Sequence, residues 1–288
     1  MQSSDALVKG RSPLDFLTHM REMLAAGIVE LPAFPQVVIK VQEAYRDPNY
    51  TPQLVAPLIS AEPTLARRLL DMANSVAFNA TGRVIIDLGL ALNRLGAQRV
   101  YGVLLAHAIQ DIRRTEPLRS MAGPMDELWS ESATVAHFAQ VVAKRASLPA
   151  PEAFVAGLLH LMGRLYILVQ CAQHGSSGRP AVLSNELVDA WHPTIAKAVL
   201  KNWGMSDAVC EAVGAQAEVA AVRTGIASLT DVLIIGVRLA KRMRNPGDAT
   251  SLSSGGVLAR LNLSVEECQT LIKEAAAEVR LLHQVLRP

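Results

Sequence analysis

The stretch from Ala153 to Leu168, AFVAGLLHLMGRLYIL, limits what this chain can fold into more than any other. Its side chains would be apolar on nearly every face of a helix, so a helix here has to be covered on all sides. Only His160 and Arg164 interrupt the apolar run. Gly157 and Gly163 allow neighbouring helices to approach closely, each at a cost of about 1 kcal/mol in helix propensity relative to Ala. A membrane span would need about 20 apolar residues, and it would hold Arg164 near the bilayer middle at about 2.5–3.5 kcal/mol. The stretch therefore reads as the central core helix of a soluble protein, with no membrane partner.

Composition supports a helical fold around it. Half of the 288 residues are hydrophobic and only 4% are aromatic, a mix dominated by Ala, Leu and Val that favours helices packed through small side chains. Twenty-eight basic residues against 26 acidic ones leave a net charge of +2, which gives no electrostatic case for nucleic acid or an anionic membrane. Cys171, Cys210 and Cys268 are odd in number and far apart, so they read as buried thiols rather than a disulfide frame or zinc site. The opening MQSSDALVKG lacks an export signal's apolar core, and the expected location is cytoplasmic.

Punctuation by proline, glycine and capping residues divides the chain. Residues 1–11 read as a flexible tail. Residues 12–120 form an N-terminal helical lobe, opened by a helix at Ser12-Pro13 with Leu14, Leu17, Met20, Leu24 and Ile28 as its apolar stripe. Helices after Pro35, Thr51-Pro52, Glu62-Pro63, Asp87 and Ala97 continue it, with an irregular stretch from Asn79 to Ile86. The segment Glu116 to Pro124 is the main boundary. Residues 121–244 form a second helical lobe. Its helices run from Met125 to Arg145, through the central stretch, from His192-Pro193 to Trp203, from a cap at Asp207, and from Leu229 to Arg244. Residues 245–263 read as a linker. Residues 264–288 read as a C-terminal helix with Ser264 and Glu267 as a capping box and an apolar stripe that folds back on the second lobe. No period-two alternation is long enough for a sheet, so the fold class is all-α.

The sequence contains no dinucleotide loop, phosphate-binding loop, paired-histidine zinc motif, nucleophile elbow or paired cysteines. His19, His107, His137, His174 and His283 each stand alone and read as exposed or core histidines.

Several separated blocks, in order, resemble the HDOD family, output domains of bacterial signalling related to metal-dependent phosphohydrolases. They are LPAFPQVVIKVQEAYRDPNYTPQLVAPLISAEPTLARRLLDMANSVAF from Leu31, LWSESATVA from Leu128, AFVAGLLHLMGRL from Ala153 and WHPTIAKAVLKNWGMSDAVCEAV from Trp191. The resemblance covers roughly residues 13 to 244, making 12–244 the HDOD domain with an HD-like second lobe. Active relatives hydrolyse phosphate esters at one or two metal ions, held by histidines, a His-Asp pair and a late aspartate. Carried onto this chain, the first histidine position is Glu131 and the His-Asp pair reads His160-Leu161. His192 matches a later histidine, Gln216 falls where another would lie, and Val237 falls near the late aspartate. Leucine and valine cannot ligate a metal. The resemblance thus implies a vestigial pocket of Glu131, His160, His192 and Gln216, with no metal, no cofactor and no catalytic residues. It implies a signalling module that binds a protein partner in trans, or a small ligand between the lobes. Residual phosphohydrolase activity is an alternative.

Residues 54–72 carry another alternative. They read as helix, turn at Ser60-Ala61-Glu62, and helix, which is the layout of a DNA-binding helix-turn-helix, with Thr64, Arg67 and Arg68 early on the second helix. Glu62 and Asp71 oppose the arginines. The last expectation concerns the pocket. Glu131 and His160 should pair directly or through water, with His192 able to share the bond, because an empty space lined by a carboxylate and an imidazole is costly. If the carboxylate dominates, it raises the His160 pKa above about 6.5.

Overall fold

The computed structural model describes residues 13–28, 36–47, 49–76, 78–79, 82–113, 122–174, 183–217, 225–247, 252 and 256–286. Among these there are helices and no strand. In chain order they are α1 (Pro13–Ala25), α2 (Gln36–Arg46), α3 (Pro52–Ser60), α4 (Pro63–Asn74), α5 (Leu88–Leu95), α6 (Ala97–Arg113), α7 (Ala122–Arg145), α8 (Ala150–Leu159), α9 (Met162–His174), α10 (Asn185–Asn202), α11 (Asp207–Gly214), α12 (Leu229–Arg244), α13 (Val257–Arg260) and α14 (Val265–Leu286). The tail read over residues 1–11 and residues 116–121 of the expected boundary lie outside the described residues, while the remainder of that boundary, residues 122–124, belongs to the first turn of α7.

Two compact units divide the chain. One holds α2 to α6. Its core is Val55 and Ile59 of α3, Leu65 and Leu69 of α4, Leu92 and Leu95 of α5, and Val103 and Leu104 of α6, all buried. Among the described residues between α4 and α5 the backbone is irregular, as the β-branched residues and Gly82 suggest, and side chains bond to it. The Asn74 side chain donates to the Ile85 carbonyl and accepts from the Ile85 N–H, both at 2.7 Å. Asn79 donates to the Arg83 carbonyl at 2.8 Å and accepts from Arg94 at 2.7 Å. Asp87 caps α5 through the Leu90 N–H.

The other unit holds α1 and α7 to α14, the last as far as Leu282. Here three sequence expectations need correction. First, α1 does not belong with the helices that follow it. It packs against α10, with Phe16, Leu17, Met20 and Leu24 buried. Asn202 of α10 donates to the Leu24 carbonyl at 3.2 Å, and Arg21 lies over the Trp191 ring. Ile28, counted in the same stripe, is exposed.

Second, residues 245–263 are not simply a linker. Leu252, Val257, Leu258, Leu261 and Leu263 are buried. Arg238 donates to the Leu252 carbonyl at 2.9 Å, and Arg260 of α13 pairs with the buried Asp231 at 2.6 Å. The polar composition concealed these anchoring leucines. The helix after them folds back as expected. Its capping box forms between Ser264 and Glu267. Cys268, Leu271, Ala275 and Val279 are buried, and Glu267 and Glu278 reach Arg145 and His137 of α7.

Third, the apolar stretch is not one helix. It breaks at His160-Leu161 into α8 and α9. The span Ala150–Cys171 is long and apolar enough to cross a membrane, but 89% of its most apolar window is buried within the fold. The two glycines act as the sequence suggests. A Cβ on Gly157 would lie 2.6 Å from Ala136 Cα of α7, so α8 and α7 meet backbone to backbone. Gly236 lets α12 approach α7 in the same way, near Val135 and Ala139. A Cβ on Gly163 would overlap the His192 carbonyl oxygen and lie 2.8 Å from the Ala196 nitrogen, so α9 is seated on α10.

Two helix starts also shift. His192-Pro193 does not open a helix. Helix α10 begins two turns earlier at a Ser184 cap, so His192 sits mid-helix. For α11 the cap is Ser206, and Asp207 is its first residue.

The close seat at Gly163 gives a direct test. Gly163→Ala should lower stability by at least about 2 kcal/mol despite the gain in helix propensity, measured as a fall in urea midpoint at unchanged slope. An unchanged midpoint would mean that α9 and α10 are not in backbone contact.

Candidate functional site

The residues singled out from the sequence converge in the unit of α1 and α7 to α14. Glu131 comes from α7, His160 from the end of α8, His192 from the middle of α10, Gln216 from the turn after α11 and Val237 from α12. Their local bonding differs from the expected pairing.

His160 is 1% exposed. Its Nδ1 lies 2.7 Å from the Gly157 carbonyl oxygen. A carbonyl only accepts, so Nδ1 carries the proton and the neutral ring has its lone pair on Nε2. In a continuous helix that carbonyl would take the Leu161 N–H. The side chain competes for it, and the helix breaks there. The break frees the His160 carbonyl, which accepts from the Gln216 side chain at 2.9 Å. Gln216 donates equally to the Val213 carbonyl, so its amide N–H groups brace the break. His160 Nε2 is buried and has no hydrogen-bond partner among the described residues; the same is true of His192 Nδ1 and Arg164 Nε.

Glu131 does not bond His160. Its carboxylate accepts from Arg244 of α12 at 2.9 Å, and the expected pair is displaced by this stronger, charge-assisted one. Arg164 of α9 pairs with Asp189 of α10. Val237, Lys241 and Arg244 are spaced by four and three residues, hence share a face of α12. The cations Arg164, Lys241 and Arg244 are the functional candidates that sequence reading missed. The α12 spacing was a usable signal, and Arg164 stood out as the lone charge in an apolar run.

Electrostatics follow from this arrangement. Burial pushes His160 down, against the Gly157 bond and the Glu131 charge, to about 4. Burial, then the charges of Arg164, His160 and Lys241, pushes His192 down to about 3. The conditional expectation of a raised His160 pKa is therefore reversed, because desolvation outweighs the carboxylate. Burial alone would raise the Glu131 carboxyl. The Arg244 bond and charge, with His160 and Arg164, outweigh burial and hold it below the usual range.

A divalent metal would need a full set of donor atoms here. His160 has the tautomer of a metal ligand, with its Nδ1 proton on a carbonyl. Nothing completes the set. Leu161 and Val237 offer no donor atom, Gln216 turns its amide N–H groups to carbonyls, and two cations act on both imidazoles. Among the described residues no group of three His, Cys, Asp or Glu could hold a metal. The residues present do not fit one.

The helix-turn-helix layout is present in the other unit. Thr64 and Arg67 are exposed on α4, with Arg68 half-buried. Arg67 lies 3.6 Å from Asp71, which draws its charge back onto the helix.

Both histidines are neutral when folded, so acid should unfold the protein. Between about pH 6.5 and pH 4 the unfolded chain binds more protons, and stability falls as pH falls through that window. His160 alone contributes on the order of 3 kcal/mol across it, from its drop from 6.5 to about 4. Urea unfolding from pH 7 to pH 4.5 checks this. The slope should be reduced in His160→Gln, whereas an unchanged slope would contradict the assignment.

Comparison with known proteins agrees with the geometry. The model of the HDOD domain matches residues 31–219. An uncharacterized protein of Treponema pallidum (strain Nichols) is 23% identical over 207 residues, 68% of this chain and 39% of its own length. The chain thus spans well under half of that relative. Among solved structures, an HDOD domain protein of unknown function from Geobacter sulfurreducens has a TM-score of 0.68 at 20% identity, covering 95% of this chain and 99% of its own. A candidate signal transduction protein from Marinobacter aquaeolei VT8 has a TM-score of 0.70 at 21% identity, covering 99% and 69%. A candidate metal-dependent phosphohydrolase from Shewanella amazonensis SB2B has a TM-score of 0.64 at 22% identity, covering 95% and 97%. With these helices in this order and the family model matching most of its length, the chain belongs to the HDOD family.

Proposed function

We propose that this protein is a non-catalytic signalling module of the cytoplasm, which works by binding a protein partner in trans and carries a degraded metal site. Loss of catalysis is supported by Leu161 and Val237 at ligand positions and by the cations beside the two histidines. The observation that carries the partner reading lies in the unit of α2 to α6. Val76, Val84, Ile86 and Leu90 are 95%, 78%, 86% and 59% exposed. They stand on and beside a segment that Asn74, Asn79 and Asp87 hold in place. Large apolar side chains left exposed beside such hydrogen bonds mark an interaction surface.

A DNA-binding reading through α3 and α4 has the layout and the exposed Thr64 and Arg67 in its favour. It is the weaker one, because Asp71 opposes Arg67 and the net charge is close to zero. A strongly salt-dependent gel shift, lost in Arg67→Ala, would favour it over a protein partner.

A photo-crosslinking residue placed at Val84 should trap one discrete partner in cells, while one at the exposed Glu266 should not. Ile86→Asp should abolish the Val84 adduct and change stability by no more than about 0.5 kcal/mol, as an exposed substitution does. Equal adducts from both positions, or none from Val84, would contradict the partner reading. Phosphodiester turnover with added manganese, lost in His160→Ala, would contradict the non-catalytic one.

A further inference from the structure

Residues 82–87 form neither helix nor turn, and the bonds to their backbone define the shape they take. The Asn74 side chain meets both main-chain groups of Ile85, accepting from its N–H and donating to its carbonyl, each at 2.7 Å. One amide can do this only where a residue's N–H and C=O point the same way, as they do in an extended chain. In a helix they point in opposite directions along the axis. Asn74 thus stands where the facing residue of an antiparallel strand would stand. Asn79 donates to the Arg83 carbonyl at 2.8 Å. Backbone groups alternate sides along an extended chain, so the Arg83 and Ile85 groups share one edge. Two asparagines occupy it.

The opposite edge belongs to Val84 and Ile86. Their N–H and carbonyl groups have no hydrogen-bond partner among the described residues. Their side chains share one face by the two-residue period of an extended chain, and both are exposed while Ile85 between them is half-buried. An open edge with large apolar side chains along it is a template for pairing with another chain. The local charge selects that chain. From Phe78 to Arg99 the cations Arg83, Arg94 and Arg99 face Asp87 alone, and Asp87 spends a carboxylate oxygen on the Leu90 N–H. All three arginines are exposed. Arg94 bonds the neutral Asn79, and Arg99 bonds the Leu95 carbonyl and lies over the Phe78 ring. A second copy of this chain would set these cations against their own kind, which is destabilising across paired strands.

We propose that residues 84–86 take up an extended, acidic peptide segment of the partner protein by strand addition. The N–H groups of Val84 and Ile86 donate to its backbone and their carbonyls accept from it. Alternate apolar side chains of the segment lie on Val84 and Ile86, and its carboxylates meet Arg83, Arg94 and Arg99. Main-chain bonds supply affinity in this mode, and the alternating side chains supply selectivity. The inference rests on the partner reading above and names the chemistry of that partner.

Fluorescence anisotropy of a dye-labelled, end-capped peptide of alternating valine and glutamate, titrated with the full chain, tests it. Saturable binding is expected. Val84→Pro removes a donor from the open edge yet keeps an apolar residue there, and should weaken binding at least about tenfold. Val84→Ile keeps the donor and should bind as the unaltered chain does. The same peptide with N-methylated backbone should not bind, a result that leaves the protein untouched and so decides the matter even if Val84→Pro disturbs the segment. A peptide with lysine in place of glutamate should bind at least about tenfold more weakly at low salt. No saturable binding, equal binding by the N-methylated or lysine peptide, or self-association of the chain that Val84→Pro abolishes would overturn the proposal. A photo-crosslinking residue at Leu90 separates it from the partner reading. Its adduct in cells should be lost in Val84→Pro. An adduct that persists overturns strand addition and keeps the partner surface, whereas no adduct from either Leu90 or Val84 overturns both.

Discussion

The hydrogen bond from His160 Nδ1 to the Gly157 carbonyl is the interaction on which the rest of the second unit depends. It ends α8 where the sequence would let it continue. It also fixes the tautomer and leaves a lone pair on Nε2 within the core. The break turns the His160 carbonyl outward from the helix to be met by Gln216, which ties the turn after α11 to the junction of α8 and α9. Gly157 and Gly163 flank the break, and both are needed to bring α7 and α10 into backbone contact on either side of it. A site on this scaffold is thus rigid, because every helix around it is seated by a main-chain contact or a bonded side chain.

That rigidity explains why the site can keep a definite electrostatic character. Neutral imidazoles are held in a desolvated position with cations on two sides, and the carboxylate that could relieve them is bonded to Arg244. Unpaired buried groups cost about 1–3 kcal/mol each. A fold that leaves such groups without partners among the described residues bears a standing penalty. The two units divide the roles. The unit of α7 to α14 contains the polar cluster, and the unit of α2 to α6 presents apolar side chains on a segment pinned by asparagines.

Much of this was legible from residue patterns. Capping residues and prolines located most helices, since a cap and a ring-locked φ act locally. Gly157 and Gly163 were correctly read as points of close approach. What escaped was set by tertiary competition. The break at His160-Leu161 comes from a side chain taking a carbonyl, which no hydrophobic pattern encodes. The packing of α1 on α10 rather than on α2 follows from contacts across most of the chain's length. The buried leucines of residues 252–263 were masked by the serines and glycines around them. At the site, the resemblance located Glu131, His160, His192 and Gln216 but not their partners. Arg244 outcompetes His160 for Glu131 from 113 residues away, and a spacing of that kind carries no signal in one sequence.

The state of His160 is the central claim, and nitrogen-15 NMR of the imidazole measures it most directly. The ring should be neutral at pH 6, with the proton on Nδ1, and should titrate near 4. A ring protonated on Nε2, or one that titrates at or above 6.5, would contradict the account.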